Sequence, residues 1–419
     1  MKQNLSNVVV GLVLLFFVSA KAQEQQVSSL LSNIGLGTTF SEATIAEKAQ
    51  GDLSVVGNNN VEVLSFTNPA LLSDLQLTSF GVAFQVQSNN VTAQESNFST
   101  SNTTISNLSF GVPLGVKGGL SLGLRVHSAV GFEVNTDNFY NQGSGSVNQI
   151  YAGIGYEIFK NFSLGLQANM YFGETTKTQA FKNVQKSTVY DETYNVKGLA
   201  TKVGAQYKLN LSEKLIAQVG AYGVLNHQLT ATGNARFYEA IQTDENSFSM
   251  IATPITSNLS GTQENPFKSV LGLGLGTYNH WFAGVSYESQ GATTYSGNVF
   301  NQTNNTDVPV DFESKSKISV GGYIIPKKYA LKNYLNRVTY RAGFKYENTG
   351  TVLNNESLKN IGMSFGVGLP IGKRISYANF TLEVGQLGEF SKNNYQEEYI
   401  NVGVNFSLSD KWFEKRVIR

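Results

Sequence analysis

The chain of 419 residues contains no cysteine, three histidines, two tryptophans and seven prolines, and only 15% of it is charged. The missing thiols exclude a disulfide framework, thiol chemistry and cysteine-ligated metals. The histidines, His127, His227 and His280, are scattered singly. None stands at a recognisable spacing from a serine or an acid, so neither hydrolytic catalysis nor a metal or cofactor site is expected. A formal net charge of +1 leaves no cationic excess for neutralising phosphates, which argues against a nucleic-acid partner. Beyond the extreme N-terminus no apolar run approaches the roughly 20 residues of a spanning helix, so a helical membrane protein is excluded too.

What is present points to strands and turns: 41 glycines, 11% aromatic residues and many Asn, Ser and Thr. The N-terminus has the form of a secretory signal over residues 1–22. Lys2 is its basic region, Val8 to Ala20 its apolar stretch, and Ala20-Lys21-Ala22 its small-x-small cleavage site. Cleavage between Ala22 and Gln23 leaves no cysteine to carry a lipid, so the chain is read as exported and not lipid-anchored. Residues 23–76 show little sustained alternation. From 77 to 408 the dominant period is two.

The clearest case runs from Leu120 to Val134. Leu120, Leu122, Leu124, Val126, Val130, Phe132 and Val134 fall on one face, and Ser121, Gly123, Arg125, His127, Ala129, Gly131 and Glu133 on the other. A helical period would scatter those charges around a cylinder, so this is strand. Similar faces recur at Phe80 to Val86, Leu108 to Leu114, Ile150 to Ile158, Phe162 to Phe172, Val203 to Leu209, Leu215 to Ala221, Leu271 to Leu275 and Trp281 to Tyr287. Others follow at Ile318 to Ile324, Val338 to Tyr346, Ile361 to Leu369, Ala378 to Val384 and Ile400 to Leu408. About 14 strands with alternating short and long connections fit an all-β, transmembrane antiparallel barrel, with residues 409–419 as a periplasmic tail and both termini periplasmic. The long polar stretches are expected as loops near 88–103, 135–146, 173–196, 230–266, 289–310, 347–357 and 387–395. The link at 326–336 is longer than its short class predicts.

With the apolar face toward lipid, the other face lines a lumen rich in glycine, including Gly111, Gly123, Gly155, Gly165, Gly204, Gly343 and Gly366. Such rows of small residues leave room for a filler, and residues 23–76 are the expected N-terminal luminal plug. The charges expected on the wet face, as ligand candidates, are Arg125, His127, Glu133, Lys202, Arg337, Arg341, Lys345 and Glu383.

Ser28-Ser29-Leu30, Gly35-Leu36-Gly37, Asn68-Pro69-Ala70 and the tail Asp410-Lys411-Trp412-Phe413, set around about 14 alternating strands, resemble the FadL/TodX superfamily of outer-membrane transporters. The resemblance covers nearly the whole mature chain. Leu71 stands where that family usually has glycine after its Asn-Pro-Ala motif. The resemblance implies passive uptake of hydrophobic small molecules such as long-chain fatty acids, with the hatch motif Asn68, Pro69 and Ala70 in a segment that shifts as a gate. It also leaves open an accessory or scaffold barrel of a secretion or surface-assembly complex. The signs of that alternative would be a packed lumen without a route and an exposed patch, for which Phe237, Tyr238, Phe248 and Met250 in 230–266 are candidates. Expected partners are outer-membrane lipid, a hydrophobic ligand and the barrel-assembly machinery, with a secretion-complex partner under the alternative.

Overall fold

A computed structural model describes residues 29–57, 64–93, 96–183, 185–244, 246–300, 310–371 and 376–411. The signal segment with Ala22 and Gln23, Ser28, Asn58 to Asn60, and Trp412 with Phe413 lie outside the described residues.

Fourteen strands form the wall among the described residues. They are β1 (Thr78–Ala93), β2 (Ser96–Leu114), β3 (Gly118–Asn135), β4 (Phe139–Phe159), β5 (Phe162–Phe181) and β6 (Ser187–Asn210). Next come four interrupted strands. These are β7 (Leu215–Val224 and His227–Asp244) and β8 (Ser247–Met250, Ile255–Asn265 and Lys268–Thr277), then β9 (Trp281–Gln290 and Thr294–Gly297) and β10 (Val310–Phe312 and Lys315–Ile324). The wall ends with β11 (Thr339–Leu353), β12 (Glu356–Ile371), β13 (Ser376–Leu387) and β14 (Tyr395–Asp410). Each strand pairs antiparallel with its sequence neighbour, and β1 pairs with β14 from Thr78↔Asp410 to Ala93↔Tyr395, which closes the barrel. Closure satisfies the backbone without help from water, the condition for strands to stand in lipid.

The outward band carries exposed apolar side chains at Leu120, Leu122, Leu124, Ile154, Leu271, Leu273, Met363, Phe365, Val402 and Phe406. Above it most of the polar stretches expected as loops are paired strand. β5 and β6 stay in register from Phe162↔Tyr207 to Phe181↔Thr188, leaving only residues 182–186 as the link. Likewise 230–266 is largely β7 against β8, and 347–357 is a hairpin with its turn at Asn354-Asn355. Outside the lipid band neither face must be apolar, so alternation fades while the ladder of backbone bonds continues.

Inside the barrel, residues 29–57 and 64–76 form no wall strand. They contain a 3-10 turn at Leu30–Asn33, the short helix α1 (Ile45–Lys48) and a 3-10 turn at Pro69–Asp74. A capping box starts α1: the Glu47 amide donates to Thr44 Oγ1 at 3.3 Å, and the Thr44 amide to Glu47 Oε2 at 2.8 Å.

Candidate functional site

The site is the bore and what fills it. Asn68 opens the turn Pro69–Asp74: its Oδ1 accepts from the Ala70 amide at 3.1 Å, while its Nδ2 donates to Val55 O at 2.8 Å and to Ala205 O of β6 at 3.3 Å. The Asn-Pro-Ala motif thus ties two stretches of the inner segment to the wall. Gly155, Gly165 and Gly204 lie against Pro69 and Asn68, where a methyl group would overlap them. On the far side of the bore Gly321 and Gly343 touch the backbone of Gln50 in the same way. Inner segment and wall meet backbone to backbone, which only residues without a side chain permit.

Charge locks the same contact. Glu42 of the inner segment pairs with Arg125 Nη2 of β3 at 3.3 Å and with Lys202 Nζ of β6, the cations being 4% and 1% exposed. Asp52 faces Lys317 at 3.6 Å and Lys345 at 3.7 Å, and Lys345 is also 2.5 Å from Glu383. Lys317 and Lys268 flank Glu288 at 3.5 and 3.2 Å. Burial works to raise the pKa of Glu42, but the charges of Lys202 and Arg125 outweigh it and hold the carboxyl well below its usual range. Burial opposes ionisation of Asp52 too, and Lys345 and Lys317 override it.

Of the charges expected in the lumen, Arg125, Lys202, Arg341 and Glu383 are buried there, and Lys345 is half-buried. Arg341 donates to Asn379 Oδ1 at 3.1 Å. Two expectations need correction, those for Glu133 and Arg337. Register slips between Val126 and Ser128, so His127 is the bulged residue of β3. Beyond it Val130 and Phe132 are buried and Glu133 is exposed, accepting from Asn246 at 2.8 Å, so Glu133 does not line the lumen. His127 itself lies edge-on to Tyr171, a member of the cluster buried in the bore, 4.8 Å between ring centroids. Arg337 is not on β11 but in the 3-10 turn Tyr334–Arg337 before it, over the Tyr334 ring. The acids Glu42 and Asp52 were missed. Their signal was the cationic excess of the expected lumen face, which required carboxylates from elsewhere in the chain.

Between β2 and β3 the wall is interrupted. β2 and β3 pair only from Asn107↔Arg125 to Leu114↔Gly118. Past that point β3 pairs on this edge with the inner segment, through Thr38↔Ala129 and Thr39↔Ser128, and the Phe40 amide donates to His127 O at 2.8 Å. Behind this notch a cavity of about 30 Å³, room for about one water molecule, is lined by Glu42, Lys48, Gln85 and Arg125 together with Leu64 and Phe66. The rest of the bore is packed. Leu36, Tyr171, Tyr194, Val196, Leu229 and Phe300 form one buried cluster, and Leu53, Val55 and Val56 join Tyr222, Phe282 and Tyr323 in another. Tyr238 is buried with Tyr140 and Val189, and Phe248 packs against them, so these two form no exposed patch.

A family model described as BamG matches residues 4–419. No curated protein matches the chain. Among solved structures the chain resembles the Pseudomonas putida toluene transporter TodX at 14% identity, with 92% of this chain and 99% of that one covered and a TM-score of 0.60. The CymD monoaromatic hydrocarbon channel is similar at 14% identity, 89% and 99% coverage and a TM-score of 0.61. A Pseudomonas aeruginosa FadL homologue matches at 12% identity, 89% and 98% coverage and a TM-score of 0.59. The fold is therefore that of the FadL-type barrels.

Proposed function

The chain belongs to the BamG family, and from that premise we propose that it is a sealed accessory barrel working with the barrel-assembly machinery in the outer membrane. The observation that carries this reading is the filled bore: wall glycines rest on the backbone of the inner segment, and buried ion pairs hold the same segment on opposite sides. A pocket for a drug-sized apolar molecule occupies several hundred Å³ and is mostly apolar. The cavity behind the notch is only about 30 Å³. In this reading the rim where β1 begins and β14 ends faces the periplasm, with both termini, and the long hairpins project from the cell.

The second reading is uptake of hydrophobic small molecules, long-chain fatty acids among them, with the inner segment shifting as a hatch. The notch between β2 and β3 favours it, because a side exit would open there once residues 38–40 left β3. Purification of the tagged protein from outer membranes in mild detergent, with mass spectrometry of both proteins and lipids, separates the two. Stoichiometric recovery of assembly-machinery subunits with no enriched lipid supports the accessory barrel. A solitary barrel carrying one enriched lipid or hydrocarbon class overturns it in favour of transport.

A further inference from the structure

The link between β10 and β11 gives Ile325 to the packed bore, and among the described residues it is the longest connection on the rim that holds the chain ends. Three other links on this rim are short turns carrying an exposed apolar residue close to a lysine: Val116 with Lys117, Phe159 with Lys160, Leu211 with Lys214. One apolar side chain and one cation suit the headgroup layer of a leaflet. The link at 325–338 carries much more. Tyr329, Leu331 and Leu335 are 77%, 99% and 63% exposed, and Lys327, Lys328, Lys332 and Arg337 stand among them without one acidic residue.

This surface is built, not slack. The Lys327 amide donates to Asn336 O at 2.7 Å, and the Ala330 amide to Lys327 O at 3.0 Å. Asn333 caps the turn Tyr334–Arg337 through the Leu335 amide, and the Tyr334 hydroxyl donates to Pro370 O of β12 at 3.0 Å. Lys328 Nζ donates to Asn279 Oδ1 at 2.6 Å, tying the link to the turn before β9. Ile325, Ala330 and Val338 are buried beneath it, so the folded base holds the apolar tips outward. Exposed aromatic and aliphatic side chains on a fixed frame, ringed by cations, have the composition of a binding hot spot.

We propose that residues 325–338 form a docking surface for an acidic face of a periplasmic protein partner, with Tyr329, Leu331 and Leu335 as anchors and the lysines as the complementary charge. The inference rests on the accessory-barrel reading and on its orientation of the rim. A protein is favoured over the leaflet because the neighbouring turns show how little the leaflet requires, and because the anchors and cations form one preorganised block.

A carbodiimide couples an amine directly to a carboxylate in contact with it, so it reads the proposed charge pairing. Treated on intact outer membranes, Lys327, Lys328 or Lys332 are expected to couple to carboxylates of one periplasmic protein. The double variant Tyr329→Ser, Leu331→Asp, both on exposed positions, is expected to lose that adduct and to lower recovery of the partner roughly tenfold, while still migrating as a folded barrel in unheated gels. Coupling of the lysines only within the chain overturns the proposal. So does a photo-crosslinker at Leu331 that labels phospholipid alone, an outcome that assigns the link to the leaflet. If the double variant keeps its full complement of machinery subunits, docking here fails while the accessory reading stands. If the unaltered chain recovers no subunit at all, the accessory reading itself fails.

Discussion

Glu42 is the residue on which the most buried charge depends. One carboxylate meets two cations, Arg125 and Lys202, that are almost wholly withdrawn from water. Replacing it with glutamine leaves both without a counter-charge, and losing one partner of a buried pair costs about 3–5 kcal/mol. Glu42→Gln is therefore expected to lower the temperature at which the barrel loses its compact form in gel-shift assays, and to expose residues 41–57 to protease. The pH dependence follows from the same contact. The folded pKa of Glu42 is depressed below the unfolded value of about 4.3, so its contribution is present above that pH and is lost as pH falls through the lower folded value. Proteolysis of the inner segment as the pH is lowered from about 6 checks this: cleavage should rise toward the acid end in the parent chain. In Glu42→Gln it should already be high at neutral pH.

Strands, not loops, are the elements that decide the shape of the bore. Where β10 and β11 cross Gln50, Gly321 and Gly343 leave the backbone of the inner segment in direct contact with the wall. Gly343→Ala places a methyl group into that backbone, and a packed contact of this kind costs about 1–3 kcal/mol to relieve. The expected result is a folded barrel with a loosened inner segment, read as faster amide exchange in residues 45–53. Unchanged exchange there would mean that the two backbones do not touch. Ala342→Gly, one position away on the opposite face, serves as the control. The bulge at His127 acts at the same scale: one extra residue reverses which side chains of β3 face inward, and it lies where the inner segment takes over the edge of the strand.

At the scale of the molecule, a glycine-lined wall resting on a fitted inner segment is, on the accessory-barrel reading, closed to ions. The expected single-molecule behaviour in a planar bilayer is negligible ion conductance. A variant lacking residues 41–57 should conduct, because it removes Glu42, Asp52 and the backbone that rests on Gly321 and Gly343. Steady conductance by the unaltered chain would contradict a sealed bore.

The alternation from Phe80 to Leu408 was enough to identify an all-β barrel of about 14 strands in lipid, because a lipid-facing strand must be apolar at every second position whatever its neighbours are. The glycines of the opposite face likewise mark close backbone approach, which Gly155, Gly165, Gly204 and Gly343 make to residues 50–51 and 68–70. Elsewhere the local pattern was silent. Hydrophobic alternation stops at the edge of the bilayer, whereas the backbone ladder of β5, β6 and β7 does not, so those strands were read as shorter than they are. The bulge that moves Glu133 out of the lumen leaves no mark in composition, since it depends on the pairing of β3 with β4. Which carboxylate meets which cation was decided only in the tertiary structure. Glu42 and Lys202 are 160 residues apart in the chain, and what joins them is the closure of the wall around the inner segment.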